Sequence, residues 1–541
     1  MLPRLALPPS GAVLILIALA FVAPGLVGHD PWRALDVIAI ELVHQMHLSG
    51  DWLIPRLAGD PWLEDPPLYH WLALGFGKAL GGVLGFHNAV RLASGLAVLS
   101  AIWFLYRAGK SFEIESEDKA VSASAPLLLI GSVGLMVHAH EAVPDLATLA
   151  AVCAALMFLF VWNDKPFRSG TAFGVSLGIA FLSTGPVMPV VLLAAALLAH
   201  AVCDEWRNAR ALRFLAPAVA AFLVIAASWP LALWLRAPEL AKAWWFGAWY
   251  PRDEFLANLR YYVATASWAT WPAWPLAAWA VWTLRKHWRT PRVFAPLAAV
   301  VLGLVAIAFA GPQQDINTIA LLAPLALLGA QGVRQLRRGA ANALDWFGVM
   351  NFTFFAALVW LGYIALMTGV PPKIMNNLLK TAPGYLAQFE PVAFASGLAL
   401  TLGWLYLAFF TAPSPTRGTT RWAAGVALLW ASFATLLMPW ADHIKSYRGV
   451  ALQLKAALPA GADCISQRSL GAPQRAALSY HAGIRTRHVP LAEAKACPFL
   501  IVQGHPRHEL DAPGPGWRKL ADIGRPGDRG ERYRLYRRGA G

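Results

Sequence analysis

Uncharged apolar stretches of roughly 17 to 25 residues recur from residue 10 to residue 440, each long enough to cross about 30 Å of hydrocarbon as a helix. Hydrocarbon offers no water to a backbone, so each stretch can satisfy its own N–H and C=O groups only by being helical. Hydrophobic residues fill 57% of the 541 positions and charged residues 14%, too little polar surface for a soluble protein of this length. Spans read at roughly 10–28, 88–106, 120–138, 145–162, 170–184, 186–202, 214–235, 261–284, 293–310, 316–333, 346–369, 391–411 and 421–440 give about thirteen crossings. The first lacks a small-residue cleavage site ahead of a polar mature domain and reads as a retained span.

The net charge of +15 does not mark a nucleic-acid binder, because the basic residues are not gathered on one face or arm. They mark topology. Arg107 and Lys110, Lys165 and Arg168, Arg207, Arg210 and Arg213, Arg285 to Arg292, Arg334 to Arg338, and Arg417 with Arg421 form a basic set of loops, cytoplasmic by the positive-inside rule. The opposite set faces outward: residues 30–87, the His138 to Asp145 link, the Gly185-Pro186 turn, residues 238–260 and 311–315. The N-terminus is then inside and everything after Trp440 outside. The apolar stretch from Pro67 to Gly82 would invert every later loop if it crossed, so it reads as a helix lying at the outer interface.

The chain changes character near Trp440, which divides it into a membrane part, 1–440, and an outward soluble part, 441–541. The second part mixes a helical stretch (447–458), an apolar run (499–502) and an alternating end (Arg532 to Leu535), as a small α/β domain does. Of four cysteines, Cys153 and Cys203 lie in or at the end of spans as small apolar residues. Cys464 and Cys497 fall in an oxidising compartment and can pair if their Cα atoms come within about 7 Å.

The first outward loop is the most informative segment. Its carboxylates Asp30, Asp36, Asp51, Asp60, Glu64 and Asp65 collect beside tryptophans at the membrane surface. Such a loop can offer a general base and a metal ligand where a lipid head group lies. It also reads as an aromatic belt with solvated acids. The second outward loop adds Asp145 with His138 and His140, two further potential metal ligands.

The runs Gly50-Asp51-Trp52, Pro55-Arg56-Leu57-Ala58-Gly59-Asp60-Pro61 and Glu64-Asp65-Pro66-Pro67-Leu68-Tyr69-His70-Trp71 resemble the first periplasmic loop of the bacterial polyprenyl-phosphate-sugar-dependent membrane glycosyltransferases. That family includes the aminoarabinose transferase of lipid A and is distantly related to protein mannosyltransferases. The resemblance implies a multi-pass inner-membrane enzyme that modifies an envelope acceptor such as lipid A, with a lipid-linked sugar as donor. Its catalytic carboxylate falls on Leu35, with Asp36 as the acidic neighbour, so Asp36, or Asp30 after a shift of the loop, is the expected base. Glu64 matches a metal ligand and Asp145 a second catalytic acid. The lysines that meet phosphate are replaced by Asp65 and Thr184, which leaves Arg56, Arg91, Arg252 or Arg260 to bind the donor phosphate.

The mechanism so implied is displacement. A carboxylate takes the proton of an acceptor hydroxyl as it attacks the anomeric carbon, and the lipid phosphate leaves with its charge offset by arginine or a divalent metal. The losses at Leu35, Asp65 and Thr184 equally describe a catalytically silent relative that binds a lipid-linked sugar or a partner enzyme. A flippase would need ionisable groups near mid-membrane, and the spans hold very few.

Overall fold

The computed structural model describes residues 11–113, 120–162, 165–249, 254–310, 312–488, 497–505, 507, 509, 513–528 and 530–539. The chain is a helical multi-pass membrane protein. Six helices are long and apolar enough to cross a membrane alone: Phe86–Lys110, Ala209–Arg236, Pro291–Ala310, Asp315–Arg334, Arg338–Thr368 and Pro391–Phe410. A seventh, Arg417–Leu436, bends by 68° into the segment Met438–Ala457. Gly11–Val22, Ala120–Ile130, Pro144–Phe160 and Val187–Val202 are shorter apolar helices.

Two of the expected spans are broken. The 120–138 stretch divides into Ala120–Ile130 and Val133–His138. At the break the Trp422 indole donates to the Gly131 carbonyl at 2.9 Å, so the acceptor freed from the helix keeps a partner. The 261–284 stretch divides into Phe255–Ala269 and Ala273–Thr283 around Pro272, which has no N–H to continue the ladder. The boundary read at Trp440 falls inside the helix Met438–Lys445, because Asp442 and His443 prolong that helix instead of ending it.

The first long loop, the one expected from its charges to face outward, carries two helices, Ala34–Ser49 and Leu68–Leu84. Gly50 ends the first in the left-handed conformation (φ 71°), its N–H bonded to the Met46 carbonyl. A two-residue hairpin follows, β1 (Arg56–Leu57) against β2 (Asp60–Pro61).

Beyond residue 441 lie β3 (Ile465–Arg468), β4 (Arg487–His488), β5 (Phe499–Gly504), β6 (Trp517–Ile523) and β7 (Arg532–Arg538). They form one sheet in the order β4-β3-β5-β7-β6, parallel around β3 and antiparallel around β7. The helix Ala472–Ala482 crosses from β3 to β4. Its core, with Ile465, Ala477, Ile501 and Leu535, takes in Val37, Leu42 and Leu57 of the first outward loop, so sheet and loop share one apolar interior.

Helices Pro166–Thr184 and Ala209–Arg236 touch backbone to backbone. A Cβ on Gly170 would lie 2.0 Å from the Phe214 carbonyl oxygen, and one on Gly174 would lie 2.1 Å from that of Ala218. Gly174→Ala is therefore expected to cost about 1–3 kcal/mol through overpacking. Gly403→Ala, in open space, is expected to leave thermal stability nearly unchanged. Equal melting temperatures for the two variants in detergent would count against this contact.

Cys464 and Cys497 are bonded, with Cα atoms 5.1 Å apart, at the entrances to the neighbouring strands β3 and β5. Cys153 and Cys203 are free and buried. The denatured, unreduced chain is expected to take up two maleimides and the reduced chain four, and the bond, closing 33 residues, to contribute about 3–4 kcal/mol. Four labels before reduction would exclude it.

Candidate functional site

A cavity of about 570 Å³ opens between the first long loop and the helix ends beside it. One wall is the Ala34–Ser49 helix, which turns Leu35, Ile38, Ala39 and Leu42 toward it at helical spacing. Facing them are Trp62 to Asp65 of the loop, Pro144, Asp145 and Thr148 at the start of the Pro144–Phe160 helix, and Thr184 to Met188 around the Gly185-Pro186 turn. Gly185 (φ 86°) ends one helix as Pro186 caps the next, which turns Thr184 into the wall. Thr184 and Thr148 share a hydrogen bond of 2.8 Å. The helix Pro238–Trp249 contributes Trp244, and the segment after residue 311 contributes Gln314 and Asn317.

Glu64, Asp65 and Asp145 thus meet, although residues far apart in sequence supply them. Glu64 is exposed at the rim and Asp65 is half-buried. Burial, then the charges of Asp145 and Glu64, push the Asp65 carboxyl well above the ordinary carboxylate range. No lysine or arginine is among the described lining residues.

Asp36 lies on another face of its helix. It is 1% exposed, and both its oxygens are engaged: Arg91 donates from Nε at 3.1 Å and from Nη2 at 2.7 Å, and the Ala142 amide donates at 2.8 Å. Burial alone would raise this carboxyl, but the Arg91 charge and these hydrogen bonds hold it below its usual value. Asp36 is expected from sequence as a base, yet it is absent from the cavity wall, because one residue along a helix is a turn of about 100°. Asp30 is also elsewhere, accepting from Ser446 at 2.7 Å.

The arginines expected at phosphate are dispersed. Arg91 is locked to Asp36 and to the His29 carbonyl, Arg56 bonds the Gly59 carbonyl across its hairpin at 3.3 Å, and Arg260 is exposed on the Phe255–Ala269 helix. Arg252 lies outside the described residues.

The expected metal ligands are not brought together either. His138 Nδ1 is 3.2 Å from Glu141 and its Nε2 is 3.4 Å from Asp315, while Glu141 also pairs with Arg33. His140 bonds the Phe21 carbonyl at 2.7 Å and stacks on Trp430. Among the described residues no three His, Cys, Asp or Glu side chains are grouped to hold a metal. Glu64, His138 and His140 therefore do not form one metal site together among the described residues.

Sequence reasoning misses His70, Gln314 and Asn317 in the wall. His70 is 1% exposed, its Nδ1 has no hydrogen-bond partner among the described residues, and burial pushes its pKa down to about 4, so the ring stays neutral. Its one sequence signal is a polar residue in the first turn of an otherwise apolar helix, one step after Tyr69. Tyr69 itself ties the loop to the second outward turn: its hydroxyl bonds Ser94 at 2.7 Å, and Ser94 donates to the Glu141 carbonyl at 2.6 Å.

Comparison with known proteins gives a consistent result. The profile of the dolichyl-phosphate-mannose-protein mannosyltransferase family matches residues 64–234. An undecaprenyl phosphate-α-4-amino-4-deoxy-L-arabinose arabinosyl transferase of Aeromonas salmonicida is 25% identical over 425 residues, 74% of this chain and 71% of that protein. Its counterpart in Pseudomonas savastanoi pv. phaseolicola is 28% identical over 66% of this chain and 67% of the relative. In fold, the chain resembles the crystal structure of ArnT from Cupriavidus metallidurans bound to undecaprenyl phosphate, with a TM-score of 0.70 at 18% identity, covering 97% of both chains. The resemblance first carried by one outward loop thus extends along the chain, which is similar to the polyprenyl-phosphate-sugar-dependent membrane glycosyltransferases of the aminoarabinose transferase type.

Proposed function

We propose that this chain transfers a sugar from a polyprenyl-phosphate donor to an envelope acceptor at the periplasmic face of a bacterial inner membrane. The observation that carries this reading is the cavity in which Glu64, Asp65 and Asp145 meet the Thr184 turn. It is supported by the similarity to transferases named for an undecaprenyl-phosphate donor. The proposal includes about thirteen crossings, in which the four shorter apolar helices, the Pro166–Thr184 helix and the broken pair Phe255–Ala269 and Ala273–Thr283 also span, with a cytoplasmic N-terminus and a periplasmic segment 441–541.

We assign the base to Asp145 in preference to Asp36, whose oxygens are already taken. Asp145 removes the proton of the acceptor hydroxyl as its oxygen bonds to the anomeric carbon. The bond from that carbon to the phosphate oxygen breaks, and polyprenyl phosphate leaves with the electron pair. Asp65 holds its proton and donates a hydrogen bond to the departing phosphate, with the Thr148 and Thr184 hydroxyls beside it. Asp36 is a positioning residue that holds Leu35 in the wall.

A second reading, a silent relative that binds the donor, is favoured by one observation: the apolar Leu35 lines the cavity at the family's catalytic position. Mass spectrometry of glycolipids and glycoproteins from cells with and without the gene identifies donor and acceptor. With that donor in nanodiscs, Asp145→Asn is expected to lower turnover by about a hundredfold or more. Wild-type turnover in this variant would overturn the assignment of the base. Donor binding without transfer by wild type would favour the silent reading, and activity appearing in Leu35→Asp would then show the rest of the site to be intact.

Asp65 also generates a pH dependence. Its folded pKa is raised, so the folded state keeps a proton that the unfolded chain releases above about pH 4. Stability is then lost as pH rises from there toward the folded pKa. Asp65→Asn is expected to melt at a higher temperature than wild type at neutral pH, with the gap closing near pH 4. A gap independent of pH would refute this account.

A further inference from the structure

The Pro166–Thr184 helix ends in the acidic cavity, and its beginning borders a second, wider one of about 1050 Å³. The helix is 19 residues long, so roughly 28 Å separates the two, close to the thickness of a hydrocarbon core. The second cavity therefore lies at the opposite membrane face, among the basic loops.

Its walls combine two chemistries. Leu212, Ala216 and Ala220 form a stripe at i, i+4 and i+8 on the Ala209–Arg236 helix, and Phe167 stands across from them. Phe167 is 67% and Leu212 62% exposed, so the apolar surface is uncovered. Lys165, Arg168 and Arg213 ring the same groove, and among the described residues none of the three is ion-paired. The two helices meet backbone to backbone farther along, at Gly170 and Gly174, beyond the groove.

We propose that this groove is a binding site for an anionic phospholipid, its phosphate head group among Lys165, Arg168 and Arg213 and an acyl chain along the Leu212, Ala216 and Ala220 stripe. Charge complementarity selects this occupant. A second copy of the chain would bring three more cations against these three, and a zwitterionic lipid would leave their charge uncompensated. Basic pockets between spans at a cytoplasmic face bind anionic head groups in this way. A bound lipid would brace the helix pair whose far end carries Thr184, and the site is independent of whether sugar is transferred there.

Native mass spectrometry of the full chain, delipidated in detergent and titrated with phosphatidylglycerol or phosphatidylcholine, tests this. Phosphatidylglycerol is expected to bind at least about tenfold more tightly, because each surface cation adds roughly a factor of five. Arg168→Ala/Arg213→Ala, which leaves only Lys165 of the three cations, is expected to cut the preference to about fivefold or less, and Arg168→Lys/Arg213→Lys to keep it. Ala216→Trp retains every cation but fills the groove, and is expected to lose the lipid as well. Equal binding of the two lipids by wild type, or an undiminished preference in either Arg168→Ala/Arg213→Ala or Ala216→Trp, would overturn the proposal. Should the alanine pair fail to fold, the Ala216→Trp result decides alone.

Discussion

The ion pair of Asp36 and Arg91 is the contact on which the cavity and the loops around it depend. Both side chains are buried, and together they join three separate segments: the first-loop helix, the first long span and, through the Ala142 amide, the second outward turn. A buried pair is a weak source of net stability against an apolar replacement, but removing one partner strands a charge at a cost of about 3–5 kcal/mol. The pair therefore enforces an arrangement more than it adds to stability. With Asp36 turned to Arg91, the helix has one rotation available, and in it Leu35, Ile38, Ala39 and Leu42 face the cavity. Further along the same helix Gln45 meets Ser479 of Ala472–Ala482 and Arg485, and Leu42 belongs both to the cavity wall and to the core of the C-terminal sheet. The cavity wall and the docking of the C-terminal sheet thus depend on one helix.

The membrane part was legible because hydrocarbon leaves a backbone few options, and length with absence of charge marks its helices. The breaks at Gly131 and Pro272 were harder to read, since a tryptophan 291 residues away accepts the consequence of the first. At the site, Glu64 and Asp145 were singled out by the resemblance of the loops that carry them, and Asp145 also as an acid beside an apolar segment. The roles of Asp36 and Arg91 were not, because helix phase is set by a partner 55 residues distant. Arg91, expected at phosphate, and His138, expected at a metal, were judged by residue type, and each is spent on a carboxylate. A lone histidine such as His70 leaves no periodic trace at all.

The acidic lining poses the sharpest constraint on any proposed chemistry. A donor phosphate entering a space with three carboxyl groups and no described lysine or arginine meets repulsion unless a proton is held there. Asp65 is the group placed to hold it, since burial and two neighbouring acids all disfavour its charge. Where the family has a lysine, a protonated carboxyl can donate one hydrogen bond but supplies no positive charge. Catalysis on this plan relies on hydrogen-bond donors, Asp65 with the paired threonines, to receive a leaving phosphate. Such donors act most strongly where water is excluded, and the same cavity is lined by Trp62 and Trp244. The same reasoning sets the limit of the plan: as Asp65 loses its proton the donor becomes a third negative charge, so transfer must fall at high pH even with Asp145 ready as base.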